Sequence, residues 1–85
     1  MTELTSMQNI GKELEKKLKF IGINSAEELI KTGSKEAFFQ LKFHYPNVCL
    51  VHLYALQGAI ENIEYNQIPD EIKHDLKCFN DGLKD

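Results

Sequence analysis

Thirteen consecutive positions, 48 to 60, carry only two strongly polar side chains, His52 and Gln57. The run is well short of the roughly 20 apolar residues needed to cross a bilayer, so the rest of the chain must cover it. Its length and lack of a polar side predict one enclosed helix over 48–64, capped by Asn47 and apolar on nearly every face. Gly58 in its interior costs about 1 kcal/mol relative to Ala, and is expected where a neighbour approaches closely. Cys49 is expected to be a buried thiol of this helix.

The flanking segments share the helical period. A short first helix is predicted over 4–8, followed by a turn at Asn9-Ile10-Gly11. In the second helix Ile10, Leu14, Leu18 and Ile21 form one face at i, i+4, i+8 and i+11. Gly22 ends it, and Ser25 with Glu28 reads as a capping box for a third helix over 26–31. Ser34 is expected to cap a fourth helix that turns Ala37, Phe38 and Leu41 inward, with Phe39, Phe43 and Tyr45 adding bulk, until Pro46 breaks it. Pro69, followed by Asp70 and Glu71 in the first turn, opens a sixth helix with Ile72, Leu76, Phe79 and Leu83 in a stripe. The fold class is therefore all-α: a compact bundle of five to six short helices in a single domain, with a buried central fifth helix. No cofactor is implied.

With 85 residues there is room for one core, and a chain this short hides only about 60 to 65% of the surface its unfolded state exposes. Such a chain leans on dense apolar helices or on a partner, and docking to a protein partner or to a second copy is the expected role. The ten basic residues are all Lys against thirteen acids, for a formal charge of −3. That balance argues against a sequence-reading nucleic-acid binder, which would be basic and rich in Arg. Positions 1–45 carry seven Lys and six Glu, whereas 46–85 carry three Lys and seven acids, among them Asp70, Glu71, Asp75, Asp81 and Asp85. Any phosphate-binding surface belongs to the first half. Two distant cysteines do not make a secreted framework, so a soluble cytoplasmic protein is expected.

Catalytic signatures are missing from the pattern: there is no P-loop, no HExxH and no nucleophile with a spaced base. Cys49-x2-His52 and His74-x3-Cys78 are the nearest approach to a metal pattern, but the second pair projects away from the apolar stripe of its helix. His44 and His52 read as ordinary histidines. The aromatics Phe38, Phe39, Phe43, Tyr45, Tyr54 and Phe79 could stack on single-stranded bases, but core packing is the expected role.

The segment Leu4-Thr5-Ser6-Met7-Gln8-Asn9-Ile10-Gly11-Lys12-Glu13-Leu14-Glu15-Lys16-Lys17-Leu18 resembles a helix-hairpin-helix unit, with Asn9 where that motif usually has its first glycine and Glu15 where it usually has an alanine. Asn tolerates positive φ, so the turn can form. Backbone donors of Asn9, Ile10 and Gly11 would meet a DNA phosphate without reading bases. At 100° per residue Lys12, Lys16 and Lys19 lie within about 60° of one another, opposite the apolar stripe. Three readings of that face stay open: a solvated helix back, a weak phosphate site and a dock for an acidic protein surface.

Four blocks together extend the resemblance to nearly the whole chain: Asn9 through Leu18, Ile21-Gly22-Ile23 through Leu29, Val48 through Ile60, and Ile68-Pro69 through Phe79. In order and spacing they resemble the C-terminal domain of the TfoX/Sxy family of bacterial proteins linked to natural competence. The run Cys49-Leu50-x-x-Leu53-Tyr54-Ala55-Leu56-x-Gly58-Ala59 is the most specific part. The resemblance implies a helix-hairpin-helix type of fold and a non-catalytic regulatory or interaction role, here in a stand-alone chain, since full-length relatives have a further N-terminal domain. Tyr65 stands in a stretch where relatives often carry Trp, and is expected to replace one packing aromatic by another.

Overall fold

A computed structural model describes residues 2–83; Asp85 of the acidic half lies outside them. Among the described residues there are five α-helices and no strand: α1 (Lys12–Phe20), α2 (Ala26–Thr32), α3 (Ser34–His44), α4 (Leu50–Glu61) and α5 (Asp70–Gly82), with short 3₁₀ turns at Leu4–Ser6 and Tyr65–Gln67. The expected first helix is only the first of those turns. One helical turn does not repay its nucleation cost, and here Ser6 Oγ donates to Glu3 O while the Thr2 carbonyl accepts from Ala26 N–H of α2 at 2.9 Å.

The core gathers the stripes that the periodicity marks. Leu14 and Leu18 of α1, Ala37, Phe38 and Leu41 of α3, Leu53, Leu56 and Ala59 of α4 and Leu76 of α5 are buried, with Leu4, Ile10 and Ile23 closing the ends. Central α4 lies against α3 and α5 and takes the expected place of the fifth helix.

Several local expectations are corrected. Cys49 rather than Asn47 caps α4, and the cysteine is exposed: its backbone N–H donates to His52 Nδ1 at 3.1 Å and its thiol accepts from the helix's third N–H. Positions 45–48 form a turn, with Val48 N–H donating to Tyr45 O and Lys42 Nζ donating to Val48 O at 2.6 Å, so the helix cannot start earlier. It also stops at Glu61 instead of continuing to 64. Asn62 takes a left-handed conformation, φ +60°, and Ile63 N–H folds back to Gly58 O. Gly33, at φ +88°, and not Ser34, caps α3. The Ser34 hydroxyl is buried and donates to Gln57 of α4. Pro69 occupies the cap of α5 rather than its first turn. The Ser25 box forms in extended register, Ser25 Oγ accepting from Glu28 N–H while Glu28 reaches back to Asn24 N–H.

Candidate functional site

The N-terminal turn forms as the sequence suggests, with Asn9 at φ +69° and Gly11 extended at the cap of α1. Asn9 plays a larger part than the glycine it replaces. Its Nδ2 donates to Ile63 O at 3.0 Å and Ala55 O at 3.4 Å, and its Oδ1 accepts from Tyr65 N–H at 3.1 Å. The side chain that was expected only to tolerate a backbone angle ties the turn to the end of α4. Tyr65 contributes its backbone there, while its side chain stays largely outside, contrary to the expected packing role. Ile10 is buried and its N–H is taken by Met7 O at 3.4 Å. Gly11 caps α1 with no side-chain acceptor on the first-turn N–H groups.

Lys12, Lys16 and Lys19 are all exposed on α1. Lys19 reaches Glu15 at 3.8 Å, an open surface pair of little energetic weight. Lys17 points elsewhere, with its ammonium 5.4 Å from the Tyr45 ring centre. Lys42 is held by the carbonyls of Val48 and Pro46 and is not available as a hand for a ligand.

Beyond these lysines the helix ends in a cluster of rings. Phe20 packs edge-on against His44 at 5.2 Å and Tyr45 at 5.8 Å, and Phe43 lies edge-on to His44 at 5.2 Å. Phe43 is 77% exposed and Phe20 64% exposed; Phe39, at 48%, also looks outward. The expectation that Phe39 and Phe43 join the core is thus wrong, because Phe38 and Leu41 already fill the inner face of α3. Phe20 lies four residues after Lys16 on the same side of α1, so its place beside the lysine face follows from the helical period.

Two further features complete the surface. An open groove of about 800 Å³ runs between α3, α4 and α5, lined by Phe39, Ile60, Ile72, Phe79 and Leu83 and bridged by a Lys35–Asp75 ion pair at 2.6 Å. The Cys49–His52 and His74–Cys78 pairs each lie within one helix, with Sγ to ring nitrogen at 3.5 and 3.6 Å. Among the described residues no three His, Cys, Asp or Glu side chains gather as a metal-holding group. His52 is held below its usual pKa, first by burial and then by the charges of Lys17 and Lys42. Its Nδ1 accepts from Cys49 N–H at the start of α4, so the pair takes part in the helix cap. Among the described residues no helix is long and apolar enough to cross a membrane.

Comparison with known proteins agrees with this architecture. The chain is similar to an uncharacterized Listeria monocytogenes protein solved in a triclinic form, with a TM-score of 0.95 and 38% identity over 98% of this chain and 94% of that one. A second Listeria monocytogenes structure, of a protein of unknown function in a tetragonal form, gives 0.93 and 39% over 96% of this chain and 100% of that one. No curated protein matches. The profile of the TfoX C-terminal domain matches residues 1–79, and with nearly the whole chain inside that match, the chain belongs to the TfoX C-terminal domain family.

Proposed function

We propose that this domain is a cytoplasmic, non-catalytic interaction module that docks a protein segment, from a partner or a second copy, in the groove between α3, α4 and α5. The link of the TfoX family to competence supports a regulatory setting for such a module. The observation that carries the reading is the groove: half-buried Ile60, Ile72, Phe79 and Leu83 form an apolar floor beside exposed Phe39, more than a lone surface side chain would require. Sedimentation across a wide concentration range, with affinity capture of partners, tests it. A dimer or a defined complex that Phe39→Ser abolishes, with helicity intact, is the expected result. A monomer at every concentration, together with no captured protein released by Phe39→Ser, overturns it.

A second reading is weak, sequence-independent binding of duplex DNA at the Asn9-Ile10-Gly11 turn with Lys12, Lys16 and Lys19, through the first-turn N–H groups of α1 and not the Ile10 N–H that Met7 O takes. It is favoured by the cap of α1, whose first-turn N–H groups meet no side-chain acceptor beside exposed lysines. Anisotropy of a labelled random duplex at low and physiological salt tests it. Binding that falls steeply with salt and is lost in Lys12→Glu with Lys16→Glu supports the reading, and no binding at low salt ends it.

A further inference from the structure

We propose that the ring cluster of Phe20, Phe43 and His44, continued along α1 by Lys16 and Lys12, is a face for single-stranded nucleic acid, with bases stacked on the rings and phosphates held by the lysines. The inference is independent of the groove, since no ring of this cluster lines it.

Exposure is the first argument. A phenyl ring 77% exposed on the last turn of α3 contributes little to the core, and a second, 64% exposed, ends α1 beside it. His44 sits between them at 5.2 Å from each, so the three rings brace one another edge to face and stay outward. Lys17, above Tyr45, and the Phe20–Tyr45 contact at 5.8 Å buttress the cluster from behind.

Charge is the second argument, and it selects the occupant. Lys12, Lys16 and Phe20 succeed one another every four residues, each about 6 Å further along the helix. The row turns by about 40° at each step, so a short basic strip leads obliquely toward the rings. The helix carries four Lys against Glu13 and Glu15, and Lys19 sits beside Glu15. An aromatic platform fed by a basic track is what an unpaired strand requires, because every base has a π-face and every linkage a negative charge. A duplex turns those faces inward and offers the rings nothing. With no Arg in the chain, binding depends little on sequence.

The test is fluorescence anisotropy with a labelled oligothymidylate, an abasic oligomer of equal length and a random duplex, at low and physiological salt. With a base on each phenyl ring, the oligothymidylate is expected to bind roughly a hundredfold more tightly than the abasic strand. Phe43→Ala, and separately Phe20→Ala, should remove about tenfold of that affinity while leaving abasic binding unchanged, and Phe43→Tyr should restore it. Lys12→Glu with Lys16→Glu should weaken both strands and flatten the salt dependence. Circular dichroism verifies that each variant folds, and exposed Phe43 is the safer site. Equal binding of thymidylate and abasic strands, duplex binding as tight as single-strand binding, or no binding at low salt overturns the proposal. So do ring variants that abolish self-association yet bind the oligothymidylate normally, which would assign the face to a second copy.

Discussion

The side-chain amide of Asn9 lies where a β-carbon on Gly58 would have to be: such an atom would stand 2.5 Å from Asn9 Nδ2 and 2.6 Å from Ile63 O. The N-terminal turn and the middle of α4 have thus been shaped to each other. Gly58→Ala should destabilise the domain by about 2 kcal/mol, despite the helix preference of Ala, because backbone on one side cannot give way. Denaturant unfolding measures it. Asn9→Ala should cost about 3 kcal/mol, combining a positive φ with three lost hydrogen bonds, and Asn9→Gly should cost less since the backbone angle is retained. The Asn9→Gly and Gly58→Ala changes should be non-additive in a double-mutant cycle.

Acid should loosen the start of α4. His52 is held below its usual value of 6.5, so the folded state binds its proton less readily than the unfolded chain does. Its contribution is complete above about pH 6.5 and is lost as pH falls below that value toward the folded pKa. Protonation also removes the acceptor that receives Cys49 N–H. Melting temperature should therefore drop between about pH 7.5 and pH 5.5, and His52→Gln, which preserves a capping acceptor without titrating there, should flatten the drop.

Glu27 should hold the N-terminal segment in place down to strongly acid conditions. Its carboxylate accepts from Thr2 N–H at 2.9 Å and from Thr2 Oγ1 at 2.8 Å, and the backbone bond foremost lowers its pKa from 4.5 to about 2. The clamp is intact above about pH 4.5 and disappears as pH falls through about 2. In hydrogen exchange at neutral pH, Glu27→Gln should raise the rate at Ala26, whose N–H donates to Thr2 O, and leave α4 protected.

Neighbouring aromatics of α3 should respond in opposite ways. Phe38→Ala empties a fully buried site and should cost about 3–5 kcal/mol, whereas Phe43→Ser should change stability by less than about 0.5 kcal/mol. Thermal unfolding of both variants in one buffer decides it.

These pairs also explain how far the sequence could be read. Angular position foretold Leu14, Leu18, Ala37, Leu41 and Leu76 correctly, since a period of 3.6 residues leaves each only one side to face. Phe39 and Phe43 face outward despite the size of their rings, because they stand about 100° and 140° from Phe38 around the helix and angle outweighs bulk. The cap at Cys49 and His52 was illegible because a thiol and an imidazole lie outside the usual Ser, Thr, Asp and Asn set. Of the candidate site, the lysine face follows from local spacing. The inward role of Asn9 does not, because its partners at Ala55, Ile63 and Tyr65 lie beyond any local pattern.

Those partners also impose an order of assembly. Asn9 is joined to residues 46, 54 and 56 places further along the chain, and closing such long loops draws on entropy that only the finished contacts repay. During synthesis the turn before α1 finds its first Asn9 partner only when Ala55 has emerged, and the set is complete only with Tyr65. The part of the molecule made first is thus among the last to be secured, and a chain halted before Tyr65 would leave Asn9 without one of its three anchors.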